Sequence, residues 1–271
     1  VRDTPIAEGV IVGAAIGAAM VGLRPIAELM TINFAFLAMD QIVNHAAKMH
    51  YMFNGQIKVP LVIRTVGGGG RQLGATHSQT PDVVFAHFPG LKVVAPATPA
   101  DAKGLMKAAI RSDDPVMFIE HATLYQVRGE VPEDEDFLVP IGVSDVKRVG
   151  KDVTIVSYSK MLQTSLQAAE EMAKEGIDAE VIDLRTLRPI DTRAIVESVK
   201  KTNRMVVVEE GWRAYGIGAE ISSRVTELAF DYLDAPVRRV AQAEVPLPYN
   251  RRLEQMALPQ APDIIHAVKD V

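Results

Sequence analysis

DVTIVSYSKMLQTSLQAAEEMAKEGIDAEVIDLRTLRPIDTRAIVESVKKTNRMVVVEE, residues 152–210, alternates between two hydrophobic periods. DVTIVSYS is a β-rich apolar run. Lys160 to Gly176 has helical spacing, an acidic outer face and a closing glycine. AEVIDL is a second strand, Asp191 to Lys201 a helix opened by an Asp cap, and RMVVVEE a third strand. The pattern continues through a helix over Gly216–Phe230, a strand at PVRRVA and a terminal helix over Pro262–Val271. Strands separated by helices of this length need crossover connections, so the spacing predicts a parallel sheet in an α/β fold.

The same alternation runs towards the N-terminus, less regularly. Strands are predicted at Leu23–Met30, Pro60-LVIRTV, Leu91-KVVAP and Pro115-VMFIEH. Helices are predicted over Phe36–Met52, Asp82–His87 and Pro99–Ser112, the last capped by Thr98. The apolar run VIVGAAIGAAMVGL, Val10 to Leu23, reads as a buried helix. Its length falls short of the roughly 20 residues that span a bilayer. Gly9, Gly13 and Gly17 fall on one face of it, which suits close approach of another backbone at a subunit interface. Between the halves, residues 126–150 change character: QVRGEVPEDEDFLVPIG (126–142) has prolines, a solvated acidic run and no helical period. It predicts a linker or arm and two doubly wound domains, 1–137 and 138–271.

Composition narrows the classes of function. The 271 residues are 48% apolar and 23% charged, enough for a full core. A net charge of −5 offers no basic footprint, so neither nucleic acid nor a membrane is an expected partner. The absence of cysteine removes disulfides, thiolate zinc sites and a Cys nucleophile, and fits a cytoplasmic location. VRDTPIAE, at the start, has no apolar core of a signal peptide.

Few residues carry chemistry by pattern alone. Gly67 to Gly70 follow a strand as a phosphate loop would, but no GK[ST] follows. Gly216-Ile217-Gly218 is a bare fragment of a dinucleotide fingerprint. Glu8 opens the apolar helix, where the helix dipole favours a carboxylate and its neighbours desolvate it. On spacing alone, a plain helix-start residue is the simpler account. His77 lies in the glycine-rich loop GGGGRQLGATHSQT, placed either as an acid–base group or as an ordinary loop histidine. His45, His50, His87, His121 and His266 have no motif around them.

Several strings in order then become informative: DTPIAE (3–8), GLRPIAELM (22–30), DQIVNHAAK (40–48), GATHSQ (74–79), PGLKVVAPATPADAKGL (89–105), EVIDLRTLRPID (180–191), VVVEEGWRAYGIGAEI (206–221) and PLPYN (246–250). The chain resembles the beta subunit of the thiamine-diphosphate-dependent first component of 2-oxo acid dehydrogenase complexes, and is most like the pyruvate dehydrogenase (acetyl-transferring) type. Acetoin and branched-chain 2-oxo acid dehydrogenases share most of these strings. A non-catalytic α/β scaffold and a fragment of a single-chain transketolase or deoxyxylulose-phosphate synthase are the rival accounts.

The resemblance implies a transketolase-like pyrimidine-binding domain followed by a transketolase C-terminal domain. It implies an alpha subunit in an alpha2-beta2 heterotetramer, which holds the diphosphate and its magnesium. A dihydrolipoyl acyltransferase core, with lipoyl and subunit-binding domains, is the implied acceptor for the acyl group of a 2-oxo acid. Members carry a further N-terminal segment ahead of the DTPIAE string, so the first domain is expected to lack an early strand and helix. Residue by residue, Glu8 matches the glutamate that hydrogen-bonds the aminopyrimidine nitrogen and favours its imino tautomer. Phe34 matches the aromatic that stacks on the pyrimidine, with Met30 and Ile6 lining that pocket. His77 matches the loop histidine near the reacting carbon. Leu61, Ala109, Ser112 and Asp114 match positions whose backbone oxygens hold potassium.

Overall fold

The computed structural model describes residues 1–271. Its first half contains α1 (Glu8–Met20), β1 (Ile26–Leu29), a 3-10 segment (Ile32–Ala38), a π-helical segment (Asp40–Ala46) and α2 (Met49–Met52). After these come β2 (Val62–Gly67), α3 (Asp82–His87), β3 (Lys92–Val94), α4 (Pro99–Arg111), β4 (Val116–His121) and a 3-10 turn (Ala122–Gln126). Its second half contains β5 (Asp145–Arg148), β6 (Val153–Ser157), α5 (Lys160–Ala173), β7 (Ala179–Asp183), β8 (Thr186–Arg188) and α6 (Thr192–Thr202). The chain then finishes through β9 (Met205–Trp212), α7 (Ile217–Ala229), β10 (Arg238–Gln242), α8 (Arg251–Ala257) and α9 (Ala261–Lys269).

Two five-stranded sheets result, ordered β1-β2-β4-β3-β8 and β10-β9-β6-β7-β5. Each is parallel except at one edge, where β8 and β5 run antiparallel to β3 and β7. The largest core cluster draws on both halves, from Val12 and Leu29 to Val207 and Ile221. No helix is long and apolar enough to cross a membrane.

The expected strands and helices of the second half are present, because continuous apolar runs such as Val153–Ser157 are buried throughout. Helix caps also appear where expected. The Thr98 side chain accepts the Asp101 N–H, and the Asp191 side chain accepts the Ala194 N–H.

Three expectations change. The single helix over Phe36–Met52 is instead a 3-10 segment, a π-helical segment and one short turn of α-helix. Ile32, Ala35 and Ala38 are all buried, and a tightened turn of three residues stacks this spacing directly in line. The arm at 126–150 holds β5, whose edge pairing with β7 needs no long apolar run. Finally, the glycine face of α1 is divided. A Cβ at Gly13 would meet the Gln41 side chain at 3.3 Å, whereas one at Gly17 meets nothing within 4 Å. Gly13 therefore packs on its own chain and only the outer part of the helix is open.

The halves are joined by strand pairing and by charge. β8, from the second half of the sequence, closes the first sheet. Asp101 of α4 is 1% exposed and meets Lys147 Nζ at 2.9 Å and Arg185 Nη2 at 2.7 Å. Burial works to raise the Asp101 carboxyl, but the Thr98 hydroxyl and these two cations outweigh it and hold it below the usual range. Asp183, behind them, has the opposite fate. Burial, with the Asp101 charge nearby, pushes it up to about 7.

A carboxyl raised in the folded state leaves stability intact below the unfolded value near 4 and costs stability as pH rises through 7. The span is on the order of a few kcal/mol for such a shift. Asp183→Asn should therefore gain on the wild type as pH rises. The expected outcome is a melting-temperature difference that moves in the variant's favour between pH 5 and pH 8.5; a difference independent of pH would show that Asp183 titrates normally.

Candidate active site

Ala7 is extended and Glu8 is the first residue of α1, with no side chain capping the helix. Glu8 as a residue is 8% exposed, and its carboxylate takes part in no ion pair or side-chain hydrogen bond within the chain. Helix α1 packs against the 3-10 segment that carries Phe34. Phe34 is half-buried, and its ring meets the His77 ring edge to face, with centroids 5.3 Å apart at 89°. Thus two of the expected site residues, 43 positions apart in the sequence, touch. His77 is exposed, and the Thr76 hydroxyl lies 3.0 Å from its Nδ1, leaving Nε2 without a partner in the chain. Ile6 and Met30 are apolar yet 77% and 68% exposed.

The glycine loop behind His77 is held from the second half of the chain. The Gly69 N–H donates to Glu210 Oε1 at 2.7 Å. The Gly70 N–H donates to Glu254 Oε1 at 3.0 Å, and the Gln72 N–H to both Glu254 oxygens at 3.1 Å. Gly68, Gly70 and Gln72 have φ of +87°, +88° and +58°, which turns successive N–H groups to one side as in an anion-binding nest. A Cβ on Gly68 would sit 2.1 Å from His121 Nε2, and one on Gly74 would sit 2.5 Å from the Tyr249 ring. The second glycine cluster follows the same rule, since Glu209 Oε1 accepts the Gly218 N–H at 3.1 Å. Neither cluster is an open phosphate cradle, because the protein's own carboxylates fill both.

Beneath the loop is a buried network that the sequence did not disclose. His121 Nε2 and Glu210 Oε2 are 2.9 Å apart, both almost fully buried. Burial pushes the Glu210 carboxyl up, but His121 and the Gly69 N–H outweigh it and keep it below the usual range. Nearby Asp82 is pushed up to about 7 by burial and by the Glu210 charge. Burial also raises Glu209 to about 7. The one available signal was two consecutive glutamates ending an otherwise apolar strand, VVVEE.

Leu61, Ala109, Ser112 and Asp114 cluster where β2, β4 and the end of α4 meet, and their carbonyls already accept donors. Leu61 takes the Val116 N–H at 2.8 Å, and Ala109 takes the Ser112 N–H at 3.2 Å. The Ser112 carbonyl accepts Arg24 Nη1 at 2.9 Å, and the Asp114 carbonyl accepts the Ser112 hydroxyl at 3.1 Å. Lys92 adds a second cation, 2.9 Å from the Asp114 carboxylate. No group of three or more His, Asp or Glu side chains is placed to hold a metal ion. A cavity of about 540 Å³ lies between α3, β8 and α7, and neither Glu8 nor His77 lines it.

Comparison with known proteins gives this geometry a family. Residues 1–128 match the transketolase pyrimidine binding domain and residues 142–264 the transketolase C-terminal domain. The chain is 51% identical over its full length to the pyruvate dehydrogenase E1 component subunit beta of Rhizobium meliloti, and spans 59% of that protein. It is 52% identical to the corresponding Rickettsia conorii subunit, spanning 83% of it. It is also 52% identical to the mitochondrial beta-2 subunit of Oryza sativa, matching over 99% of this chain and 72% of that one. Among solved structures, a split gene transketolase described as an inactive beta4 tetramer superposes with a TM-score of 0.80 at 29% identity, covering 99% of this chain and 82% of that one. The chain belongs to the family of pyruvate dehydrogenase E1 component beta subunits, built from a transketolase pyrimidine-binding domain and a transketolase C-terminal domain.

Proposed function

We propose that the chain supplies the pyrimidine side of a thiamine diphosphate site shared with an alpha subunit. The assembled enzyme would decarboxylate pyruvate, or a closely related 2-oxo acid, and pass the acyl group to a lipoyl domain of an acyltransferase core. The observation that carries this reading is Glu8: a buried carboxylate with no partner in the chain, at the start of an apolar helix and beside the segment bearing Phe34. A carboxylate set in a largely buried residue and left without a partner in the chain is open to a donor from a bound ligand.

The residues present fit the pyrimidine ring. Glu8 offers an acceptor to a ring N–H, and Phe34 offers an aromatic face already braced by His77. Ile6 and Met30 are exposed apolar side chains suited to close over a ring. When bound, thiamine diphosphate supplies the thiazolium carbon that takes up the 2-oxo acid and accommodates the electron pair left by carbon dioxide. Glu8 holds a proton at the pyrimidine nitrogen. His77, with a free Nε2, orients the 2-oxo acid or moves a proton during acyl transfer. Both glycine clusters are occupied by internal carboxylates, which supports placing the diphosphate and magnesium on the alpha subunit. A potassium ion at Leu61, Ala109, Ser112 and Asp114 would use the second lone pairs of those carbonyls. A cytoplasmic location fits the cysteine-free composition.

Glu8→Gln in the assembled alpha–beta enzyme should lower turnover by about 10²-fold or more with the melting temperature unchanged. Wild-type turnover in that variant would remove Glu8 from the chemistry. For His77→Ala, decarboxylation read with an artificial electron acceptor should fall modestly, and acylation of a lipoyl domain by about 10²-fold or more. Equal losses would place His77 ahead of the branch between the two steps, and no loss would make it a structural loop residue.

The outer face of α1 supports the shared site. Val10, Ala14, Gly17 and Met20 are exposed on a helix with no charged residue after Glu8. A helix apolar on every face is normally covered. Because nothing lies within 4 Å of a Cβ at Gly17, a side chain there is free in the isolated chain. Gly17→Leu should leave the subunit folded, with helix propensity improved by roughly 1 kcal/mol, while blocking assembly with the alpha subunit on gel filtration. Normal assembly of this variant would show that the face looks onto solvent.

A further inference from the structure

Glu254 is 1% exposed and forms no salt bridge with any Lys, Arg or His. Its carboxylate is met only by the Gly70 and Gln72 N–H groups, which reach it from the other half of the chain. Hydrogen bonds to a charged acceptor are the stronger kind, and losing them leaves a buried charge unsatisfied. The loop and the carboxylate therefore need each other. The same loop is pressed a second time where Tyr249 lies against Gly74, which has φ +77° and no room for a side chain. The Gly74 carbonyl in turn accepts the His77 N–H at 3.3 Å. A connected path thus runs from α8 and the segment before it to the ring that meets Phe34.

We infer that Glu254 is a positioning residue for His77, setting the loop through the Gly70 and Gln72 amides, with the Tyr249 ring on Gly74 as a second clamp. The second domain would then determine the reach of a histidine it does not contain. The effect on turnover rests on the function proposed above; the effect on the loop does not.

The test uses the assembled alpha–beta enzyme with Glu254→Gln, Glu254→Asp and Tyr249→Ala. An amide at 254 keeps one acceptor oxygen but turns an N–H donor towards the Gln72 N–H in place of Oε2 and removes the charge that strengthens both bonds, so Glu254→Gln should speed hydrogen exchange at Gly70 and Gln72 about tenfold or more, with β2 and β6 unchanged. Trypsin should cut after Arg71 correspondingly faster. The turnover number for lipoyl acylation should fall about tenfold or more while KM for the 2-oxo acid changes less, with part of the loss restored in Glu254→Asp. Tyr249 is 71% exposed, so its removal spares the core; it should loosen Gly74 and His77 even if Glu254→Gln fails to fold. Unchanged exchange at Gly70 and Gln72 in folded Glu254→Gln, or at Gly74 and His77 in Tyr249→Ala, overturns the inference. So does a loosened loop with wild-type acyl transfer where His77→Ala is impaired. Should His77→Ala show no loss, the function assigned to His77 fails and loop exchange alone decides the clamp.

Discussion

Backbone N–H groups exposed by glycine-rich turns have to be met, and in this chain buried carboxylates meet them. Glu210 and Glu254 satisfy the loop after β2, and Glu209 satisfies the start of α7. All three come from the second half of the sequence, and two sit side by side at the end of β9. This single constraint fixes the loop that bears His77, closes both phosphate-like glycine clusters and binds the halves together. The carboxylates differ in charge because their surroundings differ. Glu210 has His121 and a backbone donor beside it and stays low, whereas Glu209 has mainly burial and rises to about 7.

On the function proposed above, a chain that fills its own anion nests holds one half of a cofactor site and leaves the other to a partner. What it keeps is apolar and partly open: exposed Ile6 and Met30, the Phe34 ring, and the uncovered face of α1. The hydrophobic effect disfavours leaving such surface wet. Placed next to a buried carboxylate without a partner, that surface is a consistent reason for the chemistry to wait on a second subunit.

Much of this was legible in the sequence where the signal is local. The α/β class follows from strand runs that are buried on both faces, and the caps at Thr98 and Asp191 follow from residue type alone. The segment 32–46 was not legible. Its tightened and widened turns are set by which side chains the rest of the first domain buries. Three-residue β8 was missed because Thr186–Arg188 carries no period, and its pairing with Val93 and Val94 is decided in three dimensions. The candidate site divides in the same way. Glu8 and His77 stand in recognisable strings and Phe34 lies between two of them, but nothing in a linear reading connects Gly70 with Glu254, 184 residues away.

That distance in sequence has a mechanical consequence. Loops with several glycines have many accessible conformations, and a histidine carried on one would be poorly placed for proton transfer. Here the freedom that glycine provides is used for close approach instead. Gly68 lies against His121 of its own domain and Glu210 of the second, Gly69 against Leu247 and Gly74 against Tyr249, so each glycine marks a point where the second domain comes close to the loop. A side chain at any of them would displace these neighbours before it stiffened the loop. The glycines and the distant carboxylates are therefore parts of one device: the first lets the backbone come near, and the second holds it there.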